Sequence, residues 1–263
     1  MKITNLKTIP VTVPLAKPIA TAIHDIRSIG CVLVSLETDA GLFGESFVFT
    51  INGVRLKAFD EMIKGLADLV EGRDPHFVEA IWQDIWLAIN PTGHKGVTIS
   101  ALTAIDTALW DIVGKAAGQP LHRLFGACRD RIPTYASGGL WLSMSIDELQ
   151  AEAQDFLDQG FRAMKIRLGS AKPDDDVARV KAVREVIGEE IELLGDANQS
   201  LTPKQAIRLG RRLEDFNLGW FEEPVAAHDL VGHADVRAAL DIPVASGETE
   251  YTRYGMRQMI EAR

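Results

Sequence analysis

Cysteine is nearly absent: only Cys31 and Cys128 occur, almost a hundred residues apart and without CxxC spacing, which excludes a disulfide framework and a thiolate zinc site. Basic residues are outnumbered, 28 Lys+Arg against 37 Asp+Glu for a formal charge of −9. No basic stripe interrupts that balance, so a nucleic-acid partner, which needs one to neutralise phosphates, is not expected. The N-terminus, MKITNLKTIPVTVPL, lacks the continuous apolar core of a signal peptide. No stretch reads as the roughly 18 apolar residues of a membrane helix. No GxGxxG opens a helix, which weighs against dinucleotide binding. These absences together predict a cytoplasmic protein with no membrane or nucleic-acid partner.

What is present is an ordinary globular composition, 263 residues with 46% hydrophobic and 25% charged, ample for a sizeable core. The first part reads as a sheet and then helices. Residues 2–13 alternate as a strand, 30–38 form a β-branched run, and a DAG turn leads into 42–48, a pattern that predicts an antiparallel meander. Helical periodicity follows at 56–71, 76–89 and 97–117. In the last, Leu102, Ile105, Leu109 and Ile112 recur at three- and four-residue steps, and Gly118 with Pro120 supplies the stop.

Beyond about residue 130 strands and helices alternate. Strands are expected at 132–137, 162–168, 191–196, 218–222 and 243–248, with helices at 146–159, 174–188, 203–214, 229–240 and 252–262. Strand starts recur at the length of a right-handed βα unit, so the fold class is α/β, a (β/α) barrel or a doubly wound sheet.

Three acids end three successive predicted strands: Asp196 in LLGDANQS, Glu222 in WFEEP and Glu248 in VASGETE, spaced 26 and 26 residues apart. At the mouth of a parallel barrel such strand ends lie side by side, where barrel enzymes keep their active sites. Converging carboxylates repel unless a cation neutralises them, and an all-oxygen donor set suits a hard ion such as Mg²⁺. One strand earlier, MKIRLG sets Lys165 and Arg167 two residues apart. Strand alternation points both inward, beside the acids, while Met164 and Ile166 pack outward. Other residues read two ways: Asn198 lines the same mouth or is a plain turn residue, Glu223 backs the acids or is a spare surface acid, and His24, in the polar segment 21–28, covers a site or is merely exposed. His94 and His228 read as ordinary loop histidines.

The helix SALTAIDTALWDIVGKAAGQPLHRLFG at 100–126, the Lys165/Arg167 pair, Asp196 with Asn198, WFEEP and GETEYTRYG together resemble the enolase superfamily, in its mandelate racemase / muconate lactonizing enzyme branch. The resemblance implies an α+β capping domain at 1–130 and an incomplete modified TIM barrel of the (β/α)₇β type at 131–263, first five βα units only. It further implies one Mg²⁺ held by Asp196, Glu222 and Glu248, a small-molecule carboxylate substrate, a homo-oligomer, and loops near 18–28 and 48–54 that close over the substrate. The implied chemistry is removal of a proton α to a carboxylate, with the resulting enediolate stabilised by Mg²⁺ and nearby cations.

Arg167 stands where the family commonly has a second lysine. A guanidinium does not give up its proton, so Arg167 suits a carboxylate clamp, whereas a lysine accepts a proton when burial and a neighbouring cation favour its neutral form. Racemisation needs a base on each face of the carbon; dehydration manages with one base and a general acid. The expectation is therefore an acid-sugar dehydratase forming a 2-keto-3-deoxy acid, with a racemase, epimerase or cycloisomerase of the same branch, or a truncated non-catalytic metal-binding protein, as alternatives. The sequence ends 15 residues after Glu248 (263 − 248), so these residues are expected to be the N-terminal two-thirds of such an enzyme, without the family's later strands.

Overall fold

The computed structural model describes residues 1–262. Arg263, the last residue of the expected second domain, lies outside the described residues. The chain divides into two compact units, Met1–Ala16 with Arg27–Arg131, and Lys17–Ile26 with Ile132–Arg263.

The first unit is built on a three-stranded sheet in the order β1-β2-β3, of strands β1 (Ile3–Ala20), β2 (Asp25–Thr38) and β3 (Phe43–Ile51), with β2 and β3 antiparallel. All three outrun the sequence expectation. Segment 18–20 stays extended despite Pro18, because an edge strand tolerates a residue that cannot donate to the ladder, and residues 25–28 of the polar segment are strand. Alternation on β2 buries Val32, Val34 and Leu36 and turns Cys31, Leu33 and Ser35 the other way.

Helices α1 (Leu56–Lys64), α2 (Val78–Ala88), α3 (Val97–Ala117) and the short α4 (Leu121–Leu124) follow. The periodicity expected to run through 56–71 breaks at Gly65, beyond which only a 3₁₀ turn at Ala67–Leu69 continues. Along α3 the predicted stripe of Leu102, Ile105, Leu109 and Ile112 is buried, and Gly118 closes the helix in the left-handed conformation (φ 62°). β3 lies close against α3. Ser46 Oγ donates to the Ala104 carbonyl at 2.5 Å, the Glu45 amide donates to Asp111 Oδ2 at 2.9 Å, and a Cβ on Gly44 would collide with the Ala108 carbonyl. One expectation needs correction here. At 21 residues and mean hydropathy 1.3, α3 is long and apolar enough to cross a membrane, yet half of that window is already buried; packing on the sheet uses its apolar face.

The second unit carries a parallel sheet in the order β4-β5-β6-β7, from β4 (Ala163–Arg167), β5 (Glu192–Asp196), β6 (Leu218–Glu222) and β7 (Val244–Ala245). Between and around them run α5 (Ile146–Asp158), α6 (Pro173–Ile187), α7 (Pro203–Leu213), α8 (Leu230–Ala239) and α9 (Thr252–Ala262). Helix starts follow local chemistry: Ser145 with Glu148 and Thr202 with Gln205 form capping boxes, and Pro173 and Pro203 occupy the first helical turn. The core between sheet and helices gathers Met164, Ile166, Val180, Leu193, Leu209 and Phe221.

Two predicted strands shrink. Residues 132–137 form a single parallel bridge, Ala136 to Met164, rather than a ladder strand. The strand expected at 243–248 is confined to Val244–Ala245, because Gly247 turns to φ 126° and takes Glu248 out of the ladder. Between β5 and β6 the register slips. Leu193 pairs with Leu218 but Gly195 with Phe221, so β6 carries one extra residue. Leu218 and Phe221, three apart, therefore both face the helical layer, which unbroken alternation would forbid.

Candidate active site

Pairing across the parallel sheet sets Arg167 beside Asp196 and Asp196 beside Glu222. These three residues form one row, with Lys165 one alternation back on β4. The Lys165 ammonium donates to both Glu222 carboxylate oxygens, at 3.0 and 3.1 Å, and lies 3.2 Å from Asp196 Oδ2. Arg167 Nη1 donates to the same Asp196 oxygen, and its Nη2 to the Ser137 carbonyl at 3.3 Å. Lys165, Arg167 and Asp196 are 4%, 8% and 0% exposed. Charges buried this deeply persist only when paired, and here the pairing is mutual.

Aromatic rings enclose the cations. Arg167 stacks over Trp141 at 4.8 Å, Lys165 lies 5.9 Å from the Tyr135 ring centre, and Tyr135 meets Trp220 edge to face. Trp220 Nε1 donates to Glu222 Oε2 at 3.0 Å. None of these rings was singled out from sequence. For Trp220 the signal was available, since it precedes Glu222 by two and shares its side of the strand; Tyr135 and Trp141 sit in irregular chain that periodicity does not orient.

The loop after β5 is held in strained backbone, with Asn198 at φ 42° and Gln199 at φ 65°, and Glu223 after β6 is at φ 37°. Asp196 Oδ1 accepts from the Asn198 amide at 2.9 Å, fixing the turn. Gln199 clamps the neighbouring loop, donating to Glu223 Oε2 at 2.9 Å while accepting from the Ala227 amide at 3.0 Å. Glu223 is fully buried, not a surface acid. Burial, aided by the charges of Glu248, Asp196 and Glu222 and opposed by the Gln199 hydrogen bond, raises its pKa to about 7. Among the described residues, Asn198 Oδ1 and Glu223 Oε1 are buried without a hydrogen-bond partner.

Two predicted residues stand apart from the cluster. Glu248 lies in an exposed turn beyond β7 and acts on the others through its charge on Glu223. His24 is exposed, its backbone amide bonded to Thr21 Oγ1, and its ring makes none of the hydrogen bonds or ion pairs of the cluster among the described residues. Among the described residues no three His, Cys, Asp or Glu side chains surround a common point in metal-binding fashion; the ammonium of Lys165 lies between Asp196 and Glu222 instead. His94 stacks on Trp86 and reaches its carbonyl at 2.9 Å, a packing role.

Residues 3–126 match the family model for the mandelate racemase / muconate lactonizing enzyme N-terminal domain, and residues 148–263 the enolase C-terminal domain-like model. The chain belongs to the mandelate racemase / muconate lactonizing enzyme branch of the enolase superfamily. Its fold is accordingly the α+β capping sheet followed by part of a modified TIM barrel. The chain is 35% identical to a 3,6-anhydro-alpha-L-galactonate cycloisomerase of Streptomyces coelicolor, over 98% of this chain and 71% of that protein. It is 34% identical to an L-talarate/galactarate dehydratase of Salmonella typhimurium, over 89% of this chain and 60% of the relative. A crystal structure of the Salmonella typhimurium enzyme liganded with Mg and L-lyxarohydroxamate superposes with a TM-score of 0.94 at 32% identity, covering 99% of this chain and 68% of that one. The chain thus spans about 60 to 71% of the length of these curated relatives, which by name are lyases and isomerases of this branch.

Proposed function

We propose that this branch member takes part in Mg²⁺-dependent removal of a proton α to a carboxylate, and that the net reaction is dehydration of an acid sugar, an aldonate or aldarate, to a 2-keto-3-deoxy acid. The observation that carries the reading is the Lys165 ammonium 3.0 Å from Glu222 and 3.2 Å from Asp196, beside the Arg167 fork. Relatives named as acid-sugar dehydratases support it, and those named as cycloisomerases or epimerases keep an isomerase as the second reading.

The donor chemistry fits a divalent cation. Asp196, Glu222, Glu223 and Glu248 set four carboxyl groups against two cations, Lys165 and Arg167, and two buried oxygens, of Asn198 and Glu223, lack donors. Asp196, Glu222 and Glu248 would hold the ion. When bound, Mg²⁺ supplies positive charge to a substrate carboxylate that gains electron density as the α-proton leaves.

Lys165 acts as the neutral amine: drawn from the carboxylates it now bridges and having released one proton to solvent, its Nζ takes the α-proton and returns to the ammonium. Arg167, always charged and steadied on Trp141, holds a carboxylate or hydroxyl oxygen of the substrate through its two-nitrogen fork. Beside Tyr135, Trp141 and Trp220 the two cations are only 4% and 8% exposed, so each charge acts at short range with little screening by solvent. Elimination then requires only that the β-hydroxyl leave as water with one proton, which a single base plus a general acid satisfies.

The test is incubation of the chain with Mg²⁺ and a panel of aldonates and aldarates, scored for keto acid as the semicarbazone. Formation of a 2-keto-3-deoxy acid from at least one, lost in Lys165→Met, is expected; α-proton exchange without keto acid across the panel would favour the isomerase reading. Glu222→Gln should weaken Mg²⁺ binding by calorimetry, and unchanged affinity would sink its assignment as a ligand.

A further inference from the structure

The chain leading to α5 runs beside β4 at an unequal pace. The Lys165 amide donates to the Ala136 carbonyl at 2.9 Å and the Arg167 amide to the Leu140 carbonyl at 3.1 Å, so β4 advances two residues while its neighbour takes four. The surplus is folded into a loop that ends on Leu140, a fully buried leucine at φ 50°. Leucine enters that left-handed region only where its surroundings hold it there.

Two helices hold the loop. From α5, Glu152 Oε2 accepts the Leu140 amide at 2.5 Å, and its carboxylate, with Phe156, leaves no room for a Cβ on Gly139. From α6, Arg179 donates through Nη2 to the Trp141 carbonyl at 2.9 Å and through Nη1 to the Met144 carbonyl at 2.8 Å. The Leu142 amide donates to the Ala20 carbonyl at 3.1 Å. Both peptides that flank the Trp141 Cα are thereby tied, one through the Leu140 carbonyl and one through the Trp141 carbonyl and Leu142 amide, which fixes the direction in which the indole leaves the backbone.

That indole lies against the Arg167 guanidinium at 4.8 Å. The same guanidinium donates to Asp196 and to the Ser137 carbonyl of this loop. We infer that Arg179, together with Glu152, is a positioning residue for Arg167: by pinning the loop it sets the Trp141 ring on the guanidinium and so fixes the plane of the fork. A planar fork recognises oxygens only along its own plane, so a turned indole would misdirect it. The inference rests on the reading of Arg167 as the clamp for a substrate oxygen.

Arg179 is 6% exposed, and a buried cation needs fixed acceptors. Arg184, also 6% exposed and near the other end of α6, likewise donates to backbone carbonyls, but none of them belongs to a residue that touches the charged row. It is the matched control: an equally buried staple on the same helix, without a ring on Arg167.

The experiment is ¹⁹F NMR on the full chain labelled with 5-fluorotryptophan, in which the Trp141 signal, one of five, is assigned by its loss in Trp141→Phe. Arg167→Met should displace that signal, because it removes the cation beside the ring. Arg179→Lys, with unchanged circular dichroism, should displace it too, since one ammonium cannot hold two carbonyls as a fork does, while Arg184→Lys should leave it in place. Glu152→Met, acting from α5, takes the place of Arg179→Lys should that variant not fold. Where the chain with Mg²⁺ converts an aldonate or aldarate to keto acid, Arg179→Lys should raise KM by about tenfold with kcat held within about threefold, and Arg184→Lys should change neither. A chain that forms no keto acid counts against the proposed reaction alone, and the ¹⁹F displacement still upholds or overturns the positioning role. A Trp141 signal unmoved in Arg179→Lys, or moved equally by Arg184→Lys, or an active chain whose KM ignores Arg179→Lys, overturns the inference.

Discussion

Arg184, on α6, is the most heavily bonded side chain in the second unit and lies outside the candidate site. Its Nε and Nη2 donate to the Phe216 carbonyl at 3.1 and 2.9 Å, Nη2 also to Asn217 at 3.0 Å, and Nη1 to Gly188 at 2.8 Å and Ile191 at 2.7 Å. One guanidinium thus ties the end of α6, the approach to β5 and the chain leading into β6. It is 6% exposed, and burial lowers its pKa, partly countered by Glu189. Arg184→Met keeps much of the apolar stem and strands four carbonyls. At about 1 kcal/mol for each buried acceptor left unpaired, the loss is about 3 to 5 kcal/mol, a large fraction of a domain's total stability. Arg184→Lys should recover under half of that, because one ammonium cannot span acceptors arranged around a planar fork. Urea unfolding followed by tryptophan fluorescence and circular dichroism measures both. A loss below about 1 kcal/mol for the methionine variant, at unchanged m-value, would refute the reasoning and mean that water replaces the guanidinium at those carbonyls.

Gly44→Ala should destabilise the first unit by about 2 kcal/mol or more, since a Cβ there drives into the Ala108 carbonyl and Ile112 and must push β3 off α3; thermal melting checks it, and a neutral result would show that the strand shifts freely. For Asp60, burial acts to raise the pKa, but hydrogen bonds from Lys64 and Thr8 and the Lys64 charge outweigh it and hold the pKa below 3.8. A carboxylate depressed on folding stabilises above its unfolded pKa and loses that contribution as pH falls through the folded value. Asp60→Asn should therefore cost stability at neutral pH, with the gap to wild type closing below about pH 4; denaturation curves at pH 7, 4 and 3 test this, and a gap independent of pH would contradict it.

The parallel part of the fold was legible because its signals are local and repeated. Strand, turn and capped helix recur at one length, and the Lys165–Ile166–Arg167 alternation states which side chains enter the interior. Where a single backbone angle decides the outcome, composition does not report it. Gly247 ends β7 three residues before the apolar pattern suggests, so Glu248 leaves the ladder that Asp196 and Glu222 keep. Likewise β1 runs on through Pro14 and Pro18, residues that read as breakers but sit harmlessly on an edge strand. Of the site, the charged row was readable from spacing. Its aromatic enclosure was not, because Tyr135 and Trp141 are oriented by bridges and loops rather than by a period. Glu223 illustrates a third gap: nothing in WFEEP says which of two adjacent acids is buried, and the left-handed backbone at the second decides it.

The extra residue in β6 sets how this strand tolerates changes of length. Gly219 lies in the slipped stretch, where a Cβ would press on Glu192 and Leu194. Deleting it would leave Leu218 and Phe221 two apart, so both would still face the helices and Glu222 would keep its place in the charged row; the extra residue is the one this strand can lose without turning a side chain over. A residue inserted between Phe221 and Glu222, by contrast, would carry Glu222 to the helical side and remove one carboxylate from the row. Homologous sequences aligned through this strand should therefore vary in length, if at all, before Phe221.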